Sequence, residues 1–272
     1  MIQLIFKRLL TYIPVLLVVV IITFLMIHAA PGGPFDAERV ASPEIIEKLN
    51  EAYDLDKPIH VQIYNYLFNA IQGDFGPSFK YPGRSVSELI MSGLPTTIEL
   101  AFYSILFALF LGVISGLVAS LNPGKILDII PMSISLLGIC IPSIILGPIL
   151  VLIFGIWYEV LPVYGWGDNP GDKILPTITL GTAYAAIFAR LTRGGMLEIL
   201  GQDFIRTARA KGLSELRIIL VHALRGGILP VISFLGPAIA GLLAGSFVVE
   251  TIFQINGVGR FYVQAAFNRD LS

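Results

Sequence analysis

Side chains that could take part in catalysis or bind a metal are few in this sequence and lie far apart. The histidines His28, His60 and His222 are widely separated and form no H-E-x-x-H motif, so no metal site is predicted. The stretch NPGKI at 122–126 lacks the first glycine and the hydroxyl residue of a phosphate-binding loop. The single cysteine, Cys140, lies in an apolar segment and is expected to be a packing residue. We therefore predict no catalytic residue, no metal and no cofactor.

The most unusual polar stretch is RTARAKGLSE, which runs from Arg206 to Glu215 between long apolar segments. Asp203 is a candidate N-cap, and Gly212 is a candidate glycine just past the helix end, with cations in the last turn to suit the helix dipole. These signals predict a helix of about two turns over 204–211. Ser214 then becomes the expected cap of a second helix.

The faces of this short helix differ in character. Ile205 and Ala208 are three residues apart and share one face, with Phe204 one position earlier. Other faces carry Arg206, Arg209 and Ala210. Three interpretations stay open: positive charge with no further role, a helix on anionic lipid, or a helix that docks into a groove of a cytoplasmic partner. Capping signals at both ends favour docking, with small residues allowing close approach and cations at the rim.

The elements around this stretch are apolar enough to cross a membrane. Of the 272 residues 55% are hydrophobic and only 14% are charged, whereas a soluble domain carries about a quarter charged residues. We predict an all-α polytopic membrane protein with five spans, at about 9–29, 98–121, 129–157, 174–196 and 228–250. The third is too long for one straight span and contains Pro131, Pro142 and Pro148, so it is expected to be kinked or broken.

Lysine and arginine are sorted between the loops. Residues 30–97 hold five of them against nine acids, and residues 190–225 hold seven against three. Because short cytoplasmic loops collect positive charge, the second loop is predicted inside and the first outside. The N-terminus is then inside, and the C-terminus is outside after five spans.

This topology divides the chain into three parts. They are an N-terminal span at 1–30, an extracytoplasmic region at 31–97 and a core membrane domain at 98–272 with a cytoplasmic loop at 197–227. The outer region contains two amphipathic stretches, for which a place on the membrane surface and a place on the bundle are equally open. These stretches are 42–53 and 59–71.

Small residues predict where helices approach closely in lipid. Two pairs of glycines are spaced by four residues, a pattern that lets helix backbones come together. The pairs are Gly112 with Gly116 and Gly241 with Gly245.

Acids near the predicted outer ends of spans are Glu99 and Glu250. We expect them to snorkel or to make helix-end contacts, with a place on a substrate path as a lesser hypothesis for Glu250. A polytopic membrane enzyme would need ionisable residues that converge at mid-membrane. This sequence keeps its charges at span ends and in loops, so that alternative is disfavoured.

The stretch DFIRTARAKGLSELRIILVHALRGGILPVI, from Asp203 to Ile232, resembles the cytoplasmic loop of permease subunits of binding-protein-dependent ABC importers. The general family pattern is E-A-A, three residues, G, then nine residues before I-x-L-P. Only Ala208, Gly212 and Leu224 match that form, but RTARAKG is typical of the peptide and nickel branch. GDFGPSFKY at 73–81 is similar to oligopeptide permeases in particular.

The resemblance implies a type I importer bundle in the bacterial inner membrane, with a sixth span expected after FNRD. It also implies a second permease, two cytoplasmic ATPases and an extracytoplasmic peptide-binding protein as partners, besides membrane lipid, and no nucleic acid. Oligopeptides are the favoured substrate, and nickel or glutathione is the alternative. The residues implied in coupling to the ATPases are Asp203, Phe204, Ile205, Arg206, Thr207, Ala208, Arg209, Ala210, Lys211, Gly212 and Ser214.

Overall fold

The computed structural model describes residues 2–29, 57–78, 81 and 83–268. Among these residues the regular structure is helical, apart from one isolated bridge between Pro77 and Ser85. The chain divides into two compact units, one of Met1–Met91 with Gln264–Ser272 and the other of Ser92–Val263. The predicted helix at 42–53 lies outside the described residues, and the one at 59–71 is present.

The α-helices follow one another along the chain with two π-helical stretches among them. The α-helices are α1 (Ile2–Ala29), α2 (Ile59–Ile71), α3 (Val86–Ser120), α4 (Ile126–Cys140), α5 (Ser143–Leu150), α6 (Ile174–Leu200), α7 (Asp203–Ala210), α8 (Glu215–Arg217), α9 (Leu224–Gly227), α10 (Leu229–Ile252) and α11 (Val258–Asn268). The π-helical stretches are Val151–Trp157 and Ile218–Ala223.

Four helices are long and apolar enough to cross a membrane, namely α3, α6, α10 and the Phe6–Met26 part of α1. A fifth crossing would be made by α4 together with Ser143–Trp157, which are bent by 107° at the break between them. The break falls at Ile141 and Pro142, where the proline ring forces the preceding residue out of helical geometry. The predicted break in this segment is thereby confirmed.

The first glycine pair lies in the contact between α3 and α6. A Cβ atom added to Gly112 would lie 2.6 Å from the Cβ of Phe188, and one added to Gly116 would lie 2.7 Å from the Cβ of Thr192. Real Cβ atoms do not approach so closely, so both positions need glycine for the helices to pack at this distance.

The two glycines of the second pair differ in their surroundings. Gly241 leaves room for the hydroxyl of Tyr184 on α6, and an added Cβ would collide with it. Gly245 has nothing within 4 Å of an added Cβ. Within the described residues no helix therefore approaches Gly245 closely, and its place in helix packing stays a prediction.

Alanine at Gly116 is expected to lower stability by about 1–3 kcal/mol, because the new methyl group forces α3 away from α6. Alanine at Gly245 is the matched control, and it should leave stability unchanged or slightly raised because an added Cβ there meets nothing. Reversible unfolding of both variants in detergent measures the difference. Equal losses in the two variants would contradict the assigned packing.

Candidate functional site

The helix predicted in the long polar loop is α7. It begins at Asp203, and Gln202 in extended conformation is its N-cap, with no side-chain capping bond. The prediction of Asp203 as the N-cap is wrong by one position, because the backbone turns helical one residue earlier. The Asp203 carboxylate still lies in the first turn, where negative charge suits the dipole, and it contacts Arg206 Nη1 at 3.3 Å.

The end of α7 is a Schellman motif. Gly212 has φ +76°, in the left-handed region that favours glycine. Its N–H donates to the Arg209 carbonyl at 2.9 Å, and the Leu213 N–H donates to the Ala208 carbonyl at 3.4 Å. The predicted glycine just past the helix end is confirmed. Ser214 is at the N-cap position of α8, as predicted, though its side chain makes no capping bond.

The apolar face of α7 turns inward. Ile205 is fully buried and Ala208 is 8% exposed, and both belong to a cluster with Met196, Ile218 and Ala223. Ile205 and Ala208 are among the residues implied in coupling, and the structure corrects this for both, because the chain itself covers them. Sequence analysis also missed the covering residues, which lie on α6 and in the π-helical stretch Ile218–Ala223.

The outer face of the loop is polar and cationic, with one large apolar side chain. Phe204 is 50% exposed at the start of α7, and an added Cβ at Gly212 would meet nothing within 4 Å. The exposed members of the predicted set are Asp203, Phe204, Arg206, Thr207, Arg209, Ala210, Lys211, Gly212 and Ser214. This face is therefore open to a partner.

A bidentate ion pair connects α7 to α8. Arg209 Nε and Nη2 donate to the two carboxylate oxygens of Glu215 at 2.7 and 3.2 Å. The hydrogen bond from Arg209 lowers the pKa of Glu215 below its ordinary 4.5, and the same bond raises the pKa of Arg209. Since both side chains are exposed, the pair fixes the loop geometry more than it stabilises the fold.

The lowered pKa predicts a loop that loosens in acid. A carboxyl whose folded pKa is depressed contributes stability above its ordinary pKa and loses it as the pH falls through the folded value. Hydrogen exchange of the 203–217 amides, corrected for intrinsic rates, should therefore be constant from pH 8 to about 5 and increase below about 4.5. Glu215→Gln should remove this pH dependence, and a variant that kept it would show that another group titrates.

A second ion pair joins α4 to α6 near the same end of the bundle. Arg193 Nε and Nη2 donate to the two oxygens of Asp128, the first at 2.5 Å and the second at 2.7 Å. The Gly124 N–H adds a third bond to this carboxylate, whose side chain is 6% exposed. Sequence analysis did not pair these residues. Both lie near the predicted inner ends of spans, where ionisable side chains pair with one another because an unpaired charge is costly in the membrane.

The two acids near predicted outer ends of spans differ from one another. Glu99 accepts hydrogen bonds from Lys173 Nζ at 2.6 Å and Trp166 Nε1 at 2.8 Å, which is the expected helix-end contact. Glu250 is fully buried and does not snorkel, but it makes the expected helix-end contact, between the last turn of α10 and the first turn of α11. Its carboxylate accepts from the Thr97 hydroxyl at 2.8 Å and from the Arg260 N–H at 3.0 Å. These bonds give both carboxyl oxygens a partner inside the protein.

Comparison with protein families shows to which family this chain belongs. Residues 108–272 match the model of the binding-protein-dependent transport system inner membrane component, and residues 1–101 match the model of its N-terminal part. The chain belongs to this family. It is thus a transport permease of the inner membrane rather than a catalytic enzyme.

Two relatives of this permease and one solved structure show the range of similarity. It is 46% identical to the oligopeptide transport system permease protein OppB of Haemophilus influenzae, over 100% of this chain and 89% of the relative. It is 40% identical to the dipeptide transport system permease protein DppB of Bacillus subtilis, over 97% and 85%. The MetNI methionine ABC transporter in inward facing conformations matches with TM-score 0.55 and 20% identity, over 66% of this chain and 81% of that one. The last match shows the fold alone.

Proposed function

We propose that this permease is the transmembrane subunit of an ATP-driven importer of oligopeptides or dipeptides and forms half of its translocation pathway. The observation that carries the proposal is the similarity over the whole chain to permeases named for oligopeptides and dipeptides. The family is one of binding-protein-dependent transport systems, which supports an extracytoplasmic peptide-binding protein as donor of the substrate. A second permease would complete the pathway.

In this proposal α7 is the coupling helix, and two cytoplasmic ATPases are its partners. The exposed Phe204 offers an apolar contact, and the cations around it suit an acidic rim. The orientation that follows has the loop at 197–227 and the N-terminus in the cytoplasm, which agrees with the sorting of lysine and arginine. The division into 1–30, 31–97 and 98–272 stays a prediction.

Uptake in cells that lack their own peptide permeases tests the substrate. The permease is expressed with its companion subunits, and labelled di-, tri- and pentapeptides, glutathione and nickel are supplied separately. Peptide uptake that needs the ATPases and exceeds nickel and glutathione uptake is expected. Transport of nickel or glutathione alone would assign the chain to the alternative branch.

A pull-down in gentle detergent tests the assembly independently. The tagged permease should recover a second permease and one or two ATPases, identified by mass spectrometry. Recovery of the chain alone would contradict the coupling role of α7.

A further inference from the structure

An open pocket lies between α4 and α6 beside the Asp128–Arg193 ion pair. Its volume is about 500 Å³. One wall is apolar and is made by Ile129, Met132 and Leu136 on successive turns of α4. The other wall belongs to α6, and its lining residues are Arg190, Arg193 and Gly194. The pocket thus joins a hydrocarbon surface to a pair of guanidinium groups.

The pocket contains one more positive side chain than negative ones. Arg193 is neutralised by Asp128, which it contacts through both carboxylate oxygens. Arg190 is exposed, and within the described part of the chain its guanidinium has no hydrogen-bond or ion-pair partner. A planar guanidinium of this kind binds phosphate oxygens in bidentate fashion. The pocket therefore has a net charge of about +1 and suits an anion.

The depth of the pocket in the bilayer follows from the helix lengths. α6 has 27 residues and is about 40 Å long, whereas a hydrocarbon core of about 30 Å takes only about 20 of them. Counted from Ile174, that length ends near Arg193. Arg190 lies about one turn nearer the membrane interior, a depth from which a long arginine side chain can extend to the level of the lipid headgroups. Ile129 and Leu136 are 57% and 53% exposed and extend from this level toward the membrane interior.

We propose that this pocket binds one anionic phospholipid of the leaflet on the α7 side, with its phosphate on Arg190 and an acyl chain along Ile129, Met132 and Leu136. Charge and apolar surface are both needed, which distinguishes this ligand from a soluble anion and from a neutral lipid. Gly194 supplies the room, because a Cβ added there would meet nothing within 4 Å. The lipid would brace α4 against α6 just before α6 leads into α7.

Lipid binding to the purified transporter complex tests the proposal. Phosphatidylglycerol, phosphatidylcholine and inorganic phosphate are titrated separately, and bound molecules are counted by native mass spectrometry. Arg190→Gln should weaken phosphatidylglycerol binding about fivefold, because one cation near the membrane surface changes the affinity for anionic lipid by about that factor. Gly194→Trp, which keeps the charge and fills the pocket, should weaken it at least as much. Phosphatidylcholine should bind no better to the wild type than to Arg190→Gln.

The control is Arg225→Gln, which removes an exposed cation on α9 that does not line the pocket. It should change phosphatidylglycerol binding less than twofold. Equal losses in Arg190→Gln and Arg225→Gln would mean diffuse attraction of anionic lipid and would overturn the proposal. Unchanged binding in Gly194→Trp would overturn it as well. Phosphate binding as tight as lipid binding would make the pocket a soluble-anion site, and absence of lipid in the complex would mean that a subunit covers it.

Discussion

Replacing Gly212 with valine is expected to lower ATP-driven uptake at least tenfold while the permease stays in the membrane. Gly212 has φ +76°, where a β-branched side chain is strained by about 1–2 kcal/mol or more. The strain opposes the two hydrogen bonds that close the end of α7. The new side chain would also project into the open space where a partner docks. Uptake and ATPase activity of the assembled importer, measured side by side, report the loss of coupling.

Two further variants separate the causes. Gly212→Asn keeps the left-handed conformation, which asparagine tolerates, and adds a side chain only, so it isolates the steric part of the effect. Gly201→Val is the matched control at the other end of α7. Gly201 has φ −80°, and an added Cβ would have its nearest contact at an ordinary 3.5 Å. Normal uptake by Gly212→Val would show that α7 is not the docking helix.

Replacing Glu250 with leucine is expected to lower the free energy of unfolding by about 2–5 kcal/mol. The change leaves the Thr97 hydroxyl and the Arg260 N–H without their acceptor, and each unsatisfied buried group costs about 1–3 kcal/mol. The turn before α11 should also be destabilised, because the Glu250 carboxyl packs directly on Gly257: a Cβ added to Gly257 would collide with it. Reversible unfolding in mixed micelles measures the loss.

The control is Glu99→Leu, the same substitution at an acid of α3 that is not buried. The Glu99 side chain is 38% exposed, and its contact with Lys173 lies at the surface. A pair of this kind contributes about 0–1 kcal/mol. If Glu99→Leu cost as much as Glu250→Leu, the burial of Glu250 would not be the cause of its effect.

Local signals in the sequence predicted much of this fold. Apolar runs located the spans, and the helix at 59–71 was found from its amphipathic pattern. Three prolines predicted a kink or break in the third apolar segment, and the structure has it at one of them, Pro142. Gly212 was placed correctly because a helix end needs a residue that accepts positive φ. Each of these features depends on residues within a few positions of one another.

Features that depend on distant contacts were not predictable from the pattern alone. Glu250 and Thr97 are 153 positions apart, and no local property of either residue shows that they meet. The periodicity of α7 correctly separated Ile205 and Ala208 from the polar faces. It could not tell whether the apolar face is covered by a partner or by the chain itself, because both coverings favour the same residue types.

The inward packing of α7 has a mechanical consequence. Ile205 is held among Met196 and Ile218 at interior density, and close-packed interiors are nearly incompressible. A push on the outer face of α7 therefore displaces α6 and the π-helical stretch Ile218–Ala223 by nearly the same distance, with little slack. A smaller side chain at Ile205 would leave a cavity between α7 and α6. A movement of an ATPase bound to α7 would then be taken up by the cavity and would not reach α6.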